Sequence, residues 1–435
     1  MKALFILTPA IGHYTASFPV INSLNELGYS TYVTVNNEYE STLNSLGYNT
    51  CVLNASPFGL DYDLVGDYST SQLKEVLSKR MEFEMYAFRK QELKQILVHV
   101  QPNLVFIDAQ NATDFIPLYR DLKILKSKVF FLQTTLSTSQ TWKYPNYTSL
   151  CSPNKTMKII VENLLNRLYL TSNRVFDWFR FLGFDDKSII TKKFREEHIA
   201  ILYSPLWIYP IGCMFNNIPK LIVSPQELEF ERKFKNVVYL GSSVNKNNLV
   251  TRMTNSDSSK ELLYISFGTL NLHKTKVIES FLDRLNLALI SFPNLTIITS
   301  GGMNLELINR NKDRWERIDI MSYLDQMEVL KKCDYFISHG GLNSIKEAIY
   351  FNVPLLIYPL EGDQIGNAQK VKYYNLGLCG DIEFDSVELI KFKLTSLIDD
   401  KKRYKLKMED FNKRTSYYNI TERLQKSINE AVELL

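Results

Sequence analysis

Six consecutive residues, His339-Gly340-Gly341-Leu342-Asn343-Ser344, have the make-up of an anion site. They follow the apolar run Tyr335–Ser338 and lead into a helical period. Two glycines there let the backbone approach a ligand, and a helix start offers unpaired N–H groups and the positive end of its dipole. Ser344 with Glu347 also has the form of a capping box, a purely structural use of the same residues. Gly12-His13, just past the apolar run Ala3–Leu7, reads as a loop carrying an imidazole, whose ordinary pKa of about 6.5 suits a general base at neutral pH. Asp108, at the end of Leu104–Ile107, could fix such an imidazole in one tautomer, or could cap a helix or sit in a solvated loop. Asp61-Tyr62-Asp63 has a spacing that can hold a divalent cation, but so short a motif reads better as solvated loop. His99 beside an apolar run reads as a packed histidine, and His198 and His273 lie in polar surroundings.

The elements that must position these residues are legible in the hydrophobic pattern. Ala3–Leu7 is a strand, Phe18, Ile21, Leu24 and Leu27 carry a helical period that Gly28 stops, and Thr31–Val35 is the next strand. Further short apolar strands are predicted at Leu104–Ile107, Val129–Leu132, Ile201–Tyr203 and Val237–Leu240, separated by helical spacing. That alternation marks parallel strands buried on both faces. Residues 242–260 are polar, rich in Asn, Ser and Thr, and read as a linker.

The alternation then restarts, with strands at Leu262–Phe267, Leu295–Thr299, Ile318–Met321, Tyr335–Ser338 and Leu355–Tyr358. Helices are expected near Val277–Ile290, near Gln326–Lys331 and at Ser344–Phe351. The domains predicted are 1–241, then 261–415, with a final helix within 416–435 packing back toward the first. Each is a doubly wound α/β unit, and the two face each other across a cleft at the carboxyl ends of their strands, where open α/β sheets bind ligands.

Composition narrows the partners. A net charge of +4 over 435 residues is too small to point to nucleic acid. Five scattered cysteines, with no paired spacing, argue against a disulfide framework or zinc site and fit a reducing compartment, hence the cytoplasm. Residues 3–25 are uncharged, but Thr8, Pro9, Gly12, His13 and Ser17 interrupt them, so neither a spanning helix nor a signal peptide is expected.

From Tyr323 to Gly380 the order of Tyr323-Leu324-Asp325-Gln326, the His339–Ser344 segment, Glu347, Val353-Pro354 and Asp363-Gln364 closely resembles the nucleotide-sugar signature of the family-one glycosyltransferases. That group contains the plant and animal UDP-glycosyltransferases and the bacterial macrolide and carotenoid enzymes. The resemblance covers the second domain well and the first at a few points only, and it implies the two-Rossmann GT-B fold. It implies that His339, Gly341, Asn343 and Ser344 hold the donor diphosphate, with Gly268 and Thr269 of Ser266-Phe267-Gly268-Thr269 beside them. Tyr323, Gln326 and Glu347 would bind the nucleoside, and Asp363 and Gln364 the sugar. Ser300-Gly301-Gly302 could line the cleft or be a plain turn.

Two departures stand out. Tyr323 replaces the usual stacking Trp and Asp325 the usual Pro, which leaves UDP favoured over dTDP without deciding between them. Asn352 replaces a Gly before Val353-Pro354, a mild change because Asn tolerates the left-handed conformation.

Gly12-His13 matches the amino-terminal Gly-His of the family, with Ala16 in place of a usual proline. The resemblance makes His13 the general base of an inverting transfer and Asp108 its partner. No cofactor and no metal are expected, since His339 and the helix start can neutralise the leaving diphosphate. The partners expected are a nucleotide-sugar donor and a lipophilic small-molecule or lipid acceptor. Lys158–Phe184, rich in aromatic and basic residues, reads as one or two amphipathic helices that pack over the first sheet as a lid. They could also line the acceptor pocket, with Phe176 and Phe179, and rest on the inner face of a membrane. Gln133 and Thr134, with Thr135, are further acceptor-side candidates. Two alternatives remain open: a sugar-nucleotide epimerase of the same fold, and a non-catalytic nucleotide-sugar binder.

Overall fold

The computed structural model of the chain describes residues 1–58, 70–137, 143–199, 215, 217–230, 236–241, 260–268, 274–300, 314–321 and 324–431. Two fully parallel sheets dominate it. The first contains β1 (Lys2–Ile6), β2 (Ser30–Val35), β3 (Asn49–Val52), β4 (Leu104–Asp108), β5 (Lys128–Gln133), β6 (Lys220–Ile222) and β7 (Val237–Tyr239). Its spatial order is β3-β2-β1-β4-β5-β6-β7. The second contains β8 (Glu261–Ser266), β9 (Leu295–Ser300), β10 (Asp319–Met321), β11 (Tyr335–Ser338), β12 (Leu355–Ile357) and β13 (Gly377–Cys379), in the order β10-β9-β8-β11-β12-β13. The fold is α/β of the GT-B kind, with two doubly wound Rossmann-like units.

These segments form central strands because they are apolar throughout, not alternating. Every residue of β4, β11 and β12 is buried, as a strand covered on both faces requires. Each sheet carries helices on both sides, with two hydrophobic clusters per sheet. The sequence order reverses between β1 and β4 in the first sheet and between β8 and β11 in the second. At such a switch point the loops leaving neighbouring strands diverge and open a crevice.

Several expectations are revised. The first helix runs Ile11–Glu26, so His13 sits in its first turn and not on a loop. The helix predicted to open at Ser344 begins at Leu342. Strands β3, β6 and β13 were not expected, because Asn49, Thr50, Lys220 and Gly377 interrupt their short apolar runs. The helix Asp363–Tyr373 was equally hidden, because it buries Asn367, Gln369 and Lys370 alongside Ala368 and Val371. Asn352 does adopt the left-handed conformation, φ 57°. His99 is exposed, its ring edge-on to Tyr32, instead of packed.

The amphipathic region is a single helix, Thr156–Arg180, and it is not a lid packed on the sheet. Its buried side chains are Ile159 and Asn163, while most of its large apolar residues face outward. Ile201–Tyr203, Asp61-Tyr62-Asp63, His273 and residues 242–259 of the linker lie outside the described residues. No helix among the described residues is long and apolar enough to cross a membrane.

The helix Ile420–Glu430 returns to the first sheet. Asn419 caps it, accepting from the Glu422 N–H, and Ile420, Leu424 and Ile428 join the cluster built on β1 and the first helix. Thr421 Oγ1 donates to Ser23 Oγ at 3.0 Å and Arg423 to the Tyr239 carbonyl at 3.0 Å. Leu424 has no exposed surface. Leu424→Ala should therefore cost about 2–5 kcal/mol in denaturant unfolding, the range for a fully buried leucine, and a loss below 1 kcal/mol would mean the helix is only laid on the surface.

Candidate active site

His13 and Asp108 are brought together by the switch point of the first sheet. The helix holding His13 follows β1, Asp108 ends β4, and these strands pair in parallel with Ile6 beside Ile107. His13 Nδ1 lies 2.6 Å from Asp108 Oδ2. The other oxygen of Asp108 accepts from the Gln110 N–H at 2.9 Å, so the carboxylate orients the imidazole and caps the short turn Ala109–Asp114 at once. Thr134 Oγ1 stands 3.1 Å from the same His13 nitrogen. A nitrogen facing a carboxylate carries the proton, which leaves Nε2 as the basic atom.

Burial alone would lower the pKa of His13. The charge of Asp108, its hydrogen bond and the charge of Asp363 outweigh it and raise the value above 6.5. Asp363 belongs to the second unit, and a hydrogen bond from Asn343 Nδ2 to the Gly12 carbonyl at 3.0 Å sets the two switch points close together.

At the other switch point, Phe267 and Gly268 follow β8 and His339 follows β11, with Ser338 paired beside Ser266. The His339 ring lies between two glycines. A Cβ on Gly268 would come within 2.8 Å of its Cε1, and one on Gly341 within 2.7 Å of its Nε2. Gly340 has φ 89° and a Cβ there would meet Ile357 at 2.8 Å, so only glycine fits that turn. Burial pushes the His339 pKa down to about 4 against a weak contact with the Ser266 carbonyl, so the ring is neutral at neutral pH. The helix Leu342–Tyr350 starts at Gly341, and no side chain caps it.

Ser344 and Glu347 do not form the capping box. Ser344 is the third residue of the helix, and Gln326 Nε2 donates to both, at 3.2 Å to Ser344 Oγ and 2.5 Å to Glu347 Oε2. Burial raises the Glu347 carboxyl to about 7, opposed by the Gln326 hydrogen bond and the Lys346 charge. Asp325, where the family usually has proline, caps the helix Gln326–Leu330 by accepting from the Met327 N–H at 2.9 Å.

Asp363 opens the helix Asp363–Tyr373 and accepts from Asn367 Nδ2 at 3.0 Å, while the same Asn367 amide reaches the Gly340 carbonyl at 3.1 Å. Burial raises the Asp363 pKa despite Asn367, Lys370 and His13. Gln364 Oε1 accepts from the Leu360 N–H at 2.9 Å and the Glu361 N–H at 3.2 Å, so it shapes the preceding loop.

Other candidates stand differently. Asn343 Nδ2 crosses to the Gly12 carbonyl at 3.0 Å, joining the two helix starts. Gln133 turns inward and donates to the Leu136 carbonyl at 2.7 Å. Phe176 and Phe179 are about two-thirds exposed, each 65%. No hydrogen bond or ring contact among the described residues links them to His13. Tyr323, Thr269, Gly301 and Gly302 lie outside the described residues. Asn367 and Lys346 went unnoticed in the sequence because an Asn and a Lys inside a helix carry no periodic or motif signal. No group of three potential metal ligands occurs among the described residues.

Residues 275–424 match the model of the glycosyltransferase family 28 C-terminal domain. The uncharacterized UDP-glucosyltransferase YdhE of Bacillus subtilis is 34% identical over 120 residues, 27% of this chain and 28% of the relative. YojK of the same organism, also an uncharacterized UDP-glucosyltransferase, is 26% identical over 202 residues, 45% of this chain and 47% of the relative. The matches thus span less than half the length of these relatives. Among solved structures, spinosyn rhamnosyltransferase SpnG, complexed with spinosyn aglycone, superposes with TM-score 0.67 at 13% identity, over 99% of this chain and all of that one. SpnG has also been solved with thymidine diphosphate. The chain has the GT-B fold of that glycosyltransferase. The hydrogen bond from Asn343 to the Gly12 carbonyl joins its two switch points.

The electrostatics of this site are directly measurable. NMR titration should find the His13 pKa above 6.5, and Asp108→Asn should bring it below 6.5, because burial then acts with less opposition. An unchanged value in Asp108→Asn would break the pairing. His339 should stay neutral down to about pH 4.

Proposed function

We propose that the chain is an inverting glycosyltransferase that moves a hexose from a nucleoside-diphosphate sugar to a hydroxyl of a lipophilic small molecule. A UDP-sugar is favoured over a dTDP-sugar, in keeping with the names of the Bacillus relatives. One observation carries the reading: Asn343, in the glycine-flanked segment of one unit, donates to the Gly12 carbonyl of the other at 3.0 Å, which sets His13, held by Asp108, beside that segment. An acceptor hydroxyl in that gap gives its proton to His13 Nε2 as its oxygen attacks the anomeric carbon, and the bond from that carbon to the diphosphate oxygen breaks. The new imidazolium is stabilised by Asp108 and Asp363.

The diphosphate would lie against His339, Gly268, Gly341 and the uncapped start of the helix Leu342–Tyr350. There the N–H groups and helix dipole neutralise the leaving charge without a metal. Glu347, with Gln326 bound to it, faces the ribose in this arrangement. Asp363 takes the sugar hydroxyls and Gln364 supports the loop beside it. Thr134, beside Nδ1 with Asp108, helps hold the ring so that Nε2 is left for the acceptor. A lipophilic acceptor also accords with peripheral contact between this protein and a membrane.

His13→Ala should reduce transfer roughly 10²–10⁴-fold while leaving the affinity for UDP unchanged in calorimetry, since the residue touches the acceptor and not the nucleotide. Full activity in that variant would sink the assignment. Transfer should rise as pH increases through the elevated His13 pKa, because only the neutral ring accepts a proton, and Asp108→Asn should move that limb to lower pH. Activity should persist in excess EDTA; a strict Mg²⁺ requirement would refute the metal-free account of the leaving group.

A further inference from the structure

The helix Thr156–Arg180 carries an apolar stripe that nothing else among the described residues covers. Met157, Val161, Leu164, Leu168, Val175 and Phe179 recur at helical spacing, and all are exposed. Leu165, Tyr169 and Phe176 widen the stripe by one position each, and exposed Leu182 extends it past the helix end. A 25-residue helix is about 37 Å long, so this is a far larger apolar surface than monomers usually leave in water.

Beside the carboxyl-terminal half of the stripe lies an open cavity of about 780 Å³ between this helix and the helix Asp186–Glu196. Four cationic side chains line it, Arg174, Lys187, Lys192 and Arg195, together with Trp178. Of the two carboxylates there, Asp185 accepts from Ser188 and its charge also favours the Arg174 and Lys187 cations, while Glu196 pairs with Lys193 at 2.9 Å, so the lining carries four cations against two anions. Lys187 is destabilised as a cation by burial and then by Arg174, as expected where positive charge is crowded.

We propose that this face docks on an anionic phospholipid bilayer, the stripe entering the acyl boundary and the cavity receiving a phosphate headgroup. The arrangement is that of an interfacial helix: bulky apolar residues on one side, cations flanking them, and a tryptophan at the junction. A second copy of the chain paired with its helix parallel would bring the two cationic cavities toward each other, and light scattering tests for an antiparallel pair, which would separate them. The proposal does not depend on sugar transfer, and its test reads binding alone.

Co-sedimentation at low salt would use phosphatidylcholine vesicles with and without phosphatidylglycerol. The protein should bind the phosphatidylglycerol vesicles, with a blue shift in tryptophan fluorescence, and be released by high salt. Leu165→Glu with Leu168→Glu should abolish binding, and Lys187→Gln with Lys192→Gln should weaken it by about fivefold per cation removed. Both pairs sit on the surface, and unchanged thermal unfolding and UDP binding would show that the fold survives. Three results would overturn the proposal: no binding by the parent protein, undiminished binding by the Leu165/Leu168 variant, or light scattering that finds a dimer which that variant dissociates.

Discussion

The short contact between His13 Nδ1 and Asp108 Oδ2 joins residues 95 positions apart, and it exists only because β1 and β4 are parallel neighbours in register. That adjacency is the constraint on which the site depends. Had the chain placed β2 between β1 and β4, the two residues would have been separated by another strand, about 4.8 Å farther apart in the sheet. The second sheet repeats the solution with β8 and β11, setting Ser266 beside Ser338 so that the loops carrying Gly268 and His339 part at the same kind of crevice. Two crevices, each at the carboxyl ends of its strands, then face one another.

Burial acts on every titratable group in this cleft, and neighbours decide what it does. The buried His13 is held above its ordinary pKa by two carboxylates, whereas His339, with only a carbonyl for company, falls to about 4. Glu347 rises to about 7 under the same desolvation because its amide donor and nearby lysine offset only part of the cost. The imidazole next to the carboxylates is suited to take up a proton. The imidazole between the glycines is a neutral ring at a helix start, where backbone N–H groups can meet an arriving anion.

The two units touch through polar points and through an apolar seam, where Leu136 and Leu228 join the second unit's cluster and Phe230 meets Tyr373 and Tyr374. Asn343 reaches the Gly12 carbonyl, buried Lys346 donates to the Val223 carbonyl at 2.8 Å, and the Gly366 N–H donates to the Tyr147 carbonyl at 3.0 Å. Lys370 lies 3.6 Å from the buried Glu229 and over the Phe230 ring. The polar points can break and re-form as domains shift more readily than apolar packing can. The returning helix Ile420–Glu430 works in the opposite sense, since it ties the end of the second unit into the core of the first.

By itself the sequence determined the α/β class and the main strands and marked the Gly340-Gly341 turn before a helix, because continuous apolar runs and a glycine pair before a helix are local signals. Tyr335–Ser338 was legible to the residue. The pairing of Asp108 with His13 was expected from the resemblance alone, and only the strand order supplied its geometry and set Thr134 beside the same nitrogen. Tertiary structure also reassigned Gln133 and Asn343, whose amides make backbone hydrogen bonds that no sequence pattern announces. The same apolar periodicity in Lys158–Phe184 fits a packed lid or an exposed helix, since periodicity records which face is apolar and not what lies against it. What covers a face is settled by neighbours distant in the chain, and here the described neighbours leave it open to solvent.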